Sequence, residues 1–143
     1  MVVMKQYTES SDVINQQAKA PHVLVVDDNA DLADTMCFLL ESMDCRVQTV
    51  YHPVKALAIS QENKFDFFLL DIGLPEINGY ELIEMLRERQ KNPEAVFLAF
   101  SAYDGKAYRE KSLAVGFKCH FVKPTDINKI IVEIAKSPKF RIR

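Results

Sequence analysis

The strongest constraint on the fold is a short, mostly apolar stretch over residues 65–70 that is followed directly by Asp71. The next residues are Ile72-Gly73-Leu74-Pro75. An apolar and aromatic run that ends at a carboxylate and then meets glycine and proline predicts a buried parallel strand with its acid at the carboxyl end. In open α/β sheets, ligands bind at that edge. Asp71 is therefore the first candidate site residue.

Two further apolar runs also end in polar side chains. Residues 23–26 precede Asp27 and Asp28, and residues 96–100 precede Ser101. From His22 onward, such runs alternate with amphipathic segments, which is typical of βα repeats and a parallel sheet. Five βα units with right-handed crossovers predict an α/β fold, a doubly wound sandwich of three layers.

Helical spacing of apolar residues predicts a first helix capped by Asn29, a helix after Gly79, and a strong final helix capped by Thr125 or Asp126. Gly79 is expected to allow the turn into its helix. The fifth strand is expected over residues 118–122. The segment 104–115 is the weakest helix, because we expect only a narrow apolar stripe there, formed by Ala107, Leu113, Ala114 and Val115.

With 143 residues, the chain has room for one domain with a single core. Residues 1–21 are polar without a sustained apolar period and predict a flexible leader, residues 22–137 form the domain, and residues 138–143 form a short tail. This division leaves no room for a second domain.

Charge and composition exclude several classes of function. The formal net charge is −2 and the basic residues are scattered, so the chain alone is not expected to bind nucleic acid. Its apolar runs are strand-length and the N-terminus turns polar too soon for a signal peptide, which predicts a cytoplasmic protein with no membrane contact. Three cysteines without metal-ligand spacing are expected to be reduced thiols that pack as small apolar side chains.

The strand ends should meet at one edge and bring together Asp27, Asp28, Asp71, Ser101 and Lys123. Three close carboxylates repel one another unless a cation lies among them, and Mg²⁺ favours such oxygen ligands. A carboxylate can also attack phosphorus and form an acyl phosphate, and Asp71 is the best placed to do so. The lysine ammonium and the serine hydroxyl would stabilise charge on the transferred group.

Four motifs, each at a predicted strand end, resemble those of the receiver domain of two-component response regulators, including single-domain chemotaxis-type regulators. The resemblance covers about residues 22–136 and implies the flavodoxin-like receiver fold with strand order 2-1-3-4-5. The motifs are Val25-Val26-Asp27-Asp28-Asn29, Asp71-Ile72-Gly73-Leu74-Pro75 with Asn78-Gly79-Tyr80-Glu81-Leu82, Phe100-Ser101-Ala102, and Val122-Lys123-Pro124.

The resemblance implies that Asp71 accepts a phosphoryl group from a sensor histidine kinase or a histidine phosphotransfer protein. Asp27 and Asp28 would hold Mg²⁺, or Mn²⁺ in its place, together with Asp71 and the backbone carbonyl of Gly73. Lys123 would pair with a phosphoryl oxygen across a cis Lys123-Pro124 peptide.

The resemblance also assigns a switch and a tuning pair. Ser101 would move inward to bind the phosphoryl group, and His120 stands where relatives carry the aromatic residue that reports this movement. This is a departure from the family's pattern, because a histidine, unlike those aromatic residues, can change charge near neutral pH. Gly73 and Tyr103 would flank the path of the hydrolytic water, and we expect a moderately long-lived acyl phosphate.

Phosphorylation is expected to change the face formed by the fourth helix, fifth strand and fifth helix, for a downstream protein target or for pairing with a second copy. The chain is either a single-domain regulator or a receiver cut from a longer protein. A pseudo-receiver that never takes phosphate is the alternative. A phosphatase enzyme would need an acid where Gly73 stands, so we expect no reaction beyond the chain's own phosphorylation and dephosphorylation.

Each candidate residue also has a plain structural interpretation. Asp27 and Asp28 could serve as a helix-capping pair, Ser101 as a turn residue, and Lys123 as an ordinary surface lysine.

Overall fold

The computed structural model describes residues 20–138. The predicted leader lies outside the described residues except for Ala20 and Pro21, which are both buried. The predicted tail lies outside them except for Pro138. The backbone carbonyl of Pro21 accepts a hydrogen bond from the Arg46 N–H at 2.9 Å, so the packed chain already includes the residues just before the first strand.

Within residues 20–138, five strands alternate with five helices. The strands are β1 (His22–Val26), β2 (Arg46–Val50), β3 (Phe67–Leu70), β4 (Val96–Ser101) and β5 (Cys119–Val122). The helices are α1 (Ala30–Glu41), α2 (Pro53–Glu62), α3 (Gly79–Arg89), α4 (Lys106–Val115) and α5 (Ile127–Ala135). The fifth strand thus begins one residue later than the sequence predicted.

All neighbouring strands pair in parallel, in the order β2-β1-β3-β4-β5. This confirms the order 2-1-3-4-5 and the α/β sandwich. Val26 pairs with Leu70 in the register of β1 and β3, so the residues that follow them, Asp27 and Asp71, leave the sheet side by side. The Asp71 N–H donates to the Val26 carbonyl at 2.9 Å and fixes this relationship.

The core consists of two layers, one on each face of the sheet. Leu24 and Val26 of β1 belong to the layer under α2 and α3, and Val23 and Val25 belong to the layer under α1 and α5. Every residue of β1 and β3 is buried, as expected for central strands covered on both faces. The two strands that end at Asp27 and Asp71 are therefore packed on both faces.

The predicted apolar stripe of α4 is wrong at three of its four residues, since only Val115 is partly buried and packs against the core. Leu113 is 57% exposed, and Ala107 and Ala114 are also exposed, whereas Ser112 is the only buried residue of this fully described helix. A polar contact also holds the helix, because Arg87 Nη1 donates to the Val115 carbonyl at 2.9 Å. The charged residues of this segment leave no continuous apolar face to bury.

The helix caps agree with the sequence only in part. Asn29 caps α1 by accepting from the Leu32 N–H at 3.1 Å, as predicted. Asp126 occupies the N-cap position of α5 but makes no side-chain cap. Its Oδ2 accepts from the Val122 N–H at 2.9 Å, so this carboxylate fastens the end of β5. Among the described residues, no helix has both the length and the apolar content needed to cross a membrane.

Candidate functional site

Asp27 and Asp71 form the floor of the site. Each is the first residue after a central strand, and they are only 3% and 6% exposed. Asp27 Oδ1 accepts from the Asn29 N–H at 2.9 Å, and Asp71 Oδ1 accepts from the Gly73 N–H at 3.1 Å. The hydrogen bonds from these loop residues thus fix the orientation of both carboxylates.

Lys123 joins the two acids. Its Nζ lies 2.6 Å from Asp27 Oδ2 and 3.2 Å from Asp71 Oδ2, and its side chain is 13% exposed. The Lys123 N–H donates to the Ser101 carbonyl at 2.9 Å, which ties the lysine to the end of β4. The Lys123-Pro124 peptide is cis, as the resemblance implied. The interpretation of Lys123 as an ordinary surface lysine is therefore wrong.

Asp27, Asp28 and Asp71 each offer one carboxylate oxygen, and these three oxygens lie within 4.8 Å of one another. Asp28 is exposed and completes the group from the solvent side. A carboxylate oxygen has two lone pairs, so the buried acids keep acceptor capacity beyond the bonds described above. An all-oxygen, acidic set of this kind fits a hard divalent cation such as Mg²⁺.

Burial raises the pKa of Asp71 above its ordinary value. The Lys123 ammonium opposes this shift, the charge of Asp27 adds to it, and the Gly73 N–H again lowers the pKa. The raised pKa means that the protein holds an ionised Asp71 at a cost, which a cation or a covalently bound group could relieve. Perturbed carboxyl groups in a cleft are typical of functional sites.

Ser101 stands at the end of β4 and is 1% exposed. Its hydroxyl oxygen accepts from the Tyr103 N–H at 3.0 Å, so in this conformation it is engaged with its own loop. This bond is also what a turn residue would make. Ser101 thus lies at the sheet edge that carries the acids and also makes the bond of a turn residue.

Tyr103 lies over Gly73. A Cβ at Gly73 would meet the Tyr103 hydroxyl oxygen at 3.5 Å, an ordinary contact distance. The Tyr103 ring stacks on Tyr108 of α4, with centroids 5.0 Å apart and planes inclined by 18°. The structure thus brings together Gly73 and Tyr103, the two residues that the sequence analysis paired.

His120 is half-buried on β5 and faces the loop after β4. Its Nε2 lies 2.8 Å from the Tyr103 carbonyl oxygen and its Nδ1 lies 2.7 Å from the Ser112 hydroxyl. The sequence predicted a role for His120 but not for its partner Ser112. No apolar period in the sequence of α4 marks Ser112, so the sequence carries no signal for this partner.

Gly79 has a spatial role that the sequence did not reveal. A Cβ there would lie 2.5 Å from the Asp71 carbonyl oxygen and 2.7 Å from the Ile72 Cα. The first residue of α3 therefore packs directly against the backbone of Asp71 and Ile72. Lack of a side chain, rather than freedom to turn, is what this position requires.

The family model described as "Response regulator receiver domain" matches residues 23–135. The chain belongs to the response regulator receiver domain family.

Relatives agree with this assignment. An uncharacterised 14.6 kDa protein from the sodA1 3′ region of Leptolyngbya boryana is 31% identical over 109 residues, which cover 76% of this chain and 83% of that protein. The response regulator ArlR of Staphylococcus saprophyticus is 33% identical over 113 residues, covering 78% of this chain. This chain spans about half of ArlR, since the match covers 50% of it.

Solved structures share the fold. A Burkholderia pseudomallei response regulator, determined with a phosphorylated aspartic acid, a calcium ion and citrate, superposes with a TM-score of 0.73 at 25% identity, covering 85% of this chain and 70% of that one. The chemotaxis protein CheY4 of Vibrio cholerae superposes with a TM-score of 0.75 at 22% identity, covering 82% of this chain and 98% of that one.

Proposed function

We propose that this chain is a phosphorylation-dependent signalling module in which Asp71 is the phosphoacceptor. The observation that carries the proposal is the position of Asp71, buried at the carboxyl edge of the sheet, beside a second buried acid, Asp27, and in contact with the Lys123 ammonium that joins the two acids. The phosphorylated aspartic acid of the Burkholderia pseudomallei regulator supports the same chemistry here.

The reaction needs a nucleophile and compensation of negative charge. A carboxylate oxygen of Asp71 attacks the phosphorus of a phosphohistidine, an O–P bond forms, the N–P bond breaks, and its electron pair returns to the imidazole nitrogen. Lys123, already 3.2 Å from Asp71, is placed to pair with a phosphoryl oxygen. Ser101 is proposed to turn from Tyr103 toward the phosphoryl group.

Asp27, Asp28, Asp71 and the Gly73 carbonyl would hold Mg²⁺, or Mn²⁺ in its place. When bound, the ion neutralises charge that develops on the transferred phosphoryl oxygens. The Burkholderia pseudomallei regulator was determined with a calcium ion, which supports the proposal of a divalent cation here. The protein's own part is to keep three carboxylate oxygens close together despite their repulsion.

The phosphodonor is proposed to be a sensor histidine kinase or a histidine phosphotransfer protein. The acyl phosphate would signal by changing the α4-β5-α5 face, which binds a downstream protein or a second copy of the chain. Tyr108, Leu113 and Val132 are large exposed side chains on α4 and α5 and support a protein contact there.

We propose that the chain has no turnover of external substrates and catalyses only its own phosphorylation and dephosphorylation. Gly73 lies two residues after the nucleophile, where a phosphatase enzyme would need an acid. A cytoplasmic location fits the free thiols of Cys37, Cys45 and Cys119, because thiols persist in reducing compartments.

Intact mass after incubation with acetyl phosphate and Mg²⁺ tests the proposal. We expect the protein to gain one phosphoryl group, Asp71→Asn to gain none, and EDTA to prevent the gain. The matched control is Asp44→Asn, an exposed acid before β2 at the opposite sheet edge, whose φ of 67° suits asparagine equally well. A wild-type protein that takes no phosphoryl group from this donor or a phosphohistidine protein would favour the pseudo-receiver alternative.

A further inference from the structure

Two partly exposed tyrosines stack beside the mouth of the site. The rings of Tyr103, in the loop after β4, and Tyr108, in the first turn of α4, have centroids 5.0 Å apart and planes inclined by 18°. The two residues remain 45% and 41% exposed, so deep burial does not force the rings together. Stacked rings at this separation attract one another beyond the gain from buried area. The stack is therefore an interaction that orients the Tyr103 side chain.

The backbone of Tyr103 is held separately from its ring. The Tyr103 N–H donates to the Ser101 hydroxyl oxygen at 3.0 Å, and the Tyr103 carbonyl oxygen lies 2.8 Å from Nε2 of His120. These bonds fix the main chain but leave the side chain a choice of rotamers. Contact with Tyr108 favours the rotamer in which the ring lies 3.5 to 3.7 Å from the point that a Cβ at Gly73 would occupy. Tyr108 thus keeps the Tyr103 ring over Gly73.

Tyr108 is itself fixed against α3. The hydroxyl of Tyr80, the second residue of α3, donates to the Tyr108 carbonyl oxygen at 3.3 Å. The Lys111 ammonium lies 4.6 Å from the centroid of the Tyr80 ring, which is a cation–π distance, so α4 contacts Tyr80 at two places. Helix α3 begins at Gly79, which packs against the backbone of Asp71. The position of Tyr108 relative to the phosphoacceptor is therefore set through α3.

We infer that Tyr108 is a positioning residue that prolongs the life of the acyl phosphate by holding the Tyr103 ring across the path of the hydrolytic water. The inference rests on the proposed function. In hydrolysis, a water oxygen attacks phosphorus, a new O–P bond forms, and the bond from phosphorus to the Asp71 oxygen breaks. Asp71 keeps the electron pair as a carboxylate, inorganic phosphate departs, and a proton of the water passes to solvent. Tyr108 takes no part in these steps and acts on their rate only through Tyr103.

Substitutions at Tyr108 test the inference through the rate of phosphate release. The protein is phosphorylated with acetyl phosphate and Mg²⁺, the donor is removed, and released phosphate is followed in time. We expect Tyr108→Ala to release phosphate about two- to tenfold faster, as for the loss of one stacked aromatic pair. Tyr108→Phe keeps the ring and should remain near wild type. An unchanged rate in a folded Tyr108→Ala variant would overturn the inference.

The matched control is Tyr51→Ala. Tyr51 is 44% exposed, directly follows the edge strand β2 and donates to Asp34 of α1 at 2.7 Å, so it lies on the other side of the sheet from the stack. Its loss should leave the rate of phosphate release unchanged. Acceleration by Tyr51→Ala equal to that by Tyr108→Ala would contradict the inference, because loss of any exposed tyrosine would then have the same effect.

A double variant separates action through Tyr103 from a general loosening of α4. If Tyr108 acts only through the Tyr103 ring, adding Tyr108→Ala to Tyr103→Ala should accelerate phosphate release no further than Tyr103→Ala alone. The same fold-change from Tyr108→Ala with and without the Tyr103 ring would refute the inference, because the two residues would then act independently.

Denaturant unfolding checks that each variant is folded. Should Tyr108→Ala not fold, Tyr80→Phe replaces it, because this change removes only the hydroxyl that donates to the Tyr108 carbonyl. We expect faster phosphate release from Tyr80→Phe, and a rate equal to that of wild type would count against the inference. Wild-type protein that accepts no phosphoryl group from acetyl phosphate would instead defeat the proposed function, so the two failures are distinguishable.

Discussion

The ammonium nitrogen of Lys123 lies 2.6 Å from Oδ2 of Asp27, a carboxylate that is not the proposed acceptor. Its distance to the acceptor Asp71 is longer, 3.2 Å. Asp27 thus holds the lysine in place. Only a small displacement would bring the Lys123 ammonium to a phosphoryl oxygen on Asp71, where negative charge develops. Such preorganisation is the main contribution that a protein makes to phosphoryl transfer.

Replacing Lys123 with methionine should destabilise the protein. The change would leave Asp27 and Asp71 buried beside each other without a cation, and breaking a buried ion pair costs about 3–5 kcal/mol. We expect added Mg²⁺ to recover part of the lost free energy of unfolding, measured by urea denaturation with and without the metal.

The control for that experiment is Lys118→Met. Lys118 is 59% exposed and pairs with Glu133 at 2.9 Å, so its loss should cost no more than about 1 kcal/mol. Equal losses of unfolding free energy in Lys123→Met and Lys118→Met would contradict the prediction, because the buried ion pairs of Lys123 would then contribute no more than an exposed pair.

Asp71→Asn should stabilise the protein at neutral pH in the presence of EDTA. The pKa of Asp71 is raised in the folded state, chiefly by burial, so the folded protein binds more protons than the unfolded chain between the ordinary and the raised value. In that window, stability contributed by this group falls as the pH rises. Asparagine carries no charge, and we expect a gain of about 0.5–2 kcal/mol in the free energy of unfolding.

Denaturation of both proteins across the acidic to neutral range measures the effect of Asp71→Asn. The difference between them should grow as the pH rises and vanish at strongly acidic pH, where Asp71 is protonated. A wild type that becomes more stable than Asp71→Asn as the pH rises would contradict the sign of the shift.

Gly79→Ala should damage both the fold and the site. The added Cβ would approach the Asp71 carbonyl oxygen to 2.5 Å, so α3 or the backbone of Asp71 must move. We expect a loss of about 1–3 kcal/mol and slower phosphorylation by acetyl phosphate. Gly73→Ala is the matched control, because its Cβ would make only an ordinary 3.5 Å contact with Tyr103. A stable, fully active Gly79→Ala variant would mean that α3 can move away from the Asp71 backbone without loss of stability or activity.

Tyr103→Ala should shorten the life of the acyl phosphate severalfold. The ring lies over Gly73 and covers the site on that side, so its removal should admit the hydrolytic water. Phosphate release after phosphorylation measures the rate, and Tyr103→Phe, which keeps the ring, should remain near wild type. An unchanged rate of phosphate release in Tyr103→Ala would show that Tyr103 gives no protection. Loss of the phosphoryl group from wild type within seconds would contradict the expected long life of the acyl phosphate.

The sequence was sufficient to identify Asp27 and Asp71 because each is the first residue after an apolar run of strand length. Parallel strands then place Asp27 and Asp71 at the same edge without further information. The order of the strands could not be obtained from local periodicity, since that pattern does not state which strands are neighbours. It was supplied by the resemblance to the receiver family and is confirmed by the sheet.

Helix α4 shows where local patterns fail. Leu113 was expected to face inward but is exposed, and the inward position belongs to Ser112. Ser112 is buried because His120 offers it a partner eight residues further along the chain, and no apolar period signals such a pair. Long-range side-chain hydrogen bonds depend on the packed sheet, so they become visible only in the structure.

The central claim is that Asp71 becomes an acyl phosphate. Its most direct test is to phosphorylate the protein with acetyl phosphate and Mg²⁺, reduce it with borohydride, which converts an acylated aspartate to homoserine, and locate the product by peptide mass spectrometry. The account predicts homoserine at position 71 and unaltered aspartate at positions 27 and 28. Homoserine at either of those two positions, or an unreduced Asp71 in protein that carries the phosphoryl group, would contradict it.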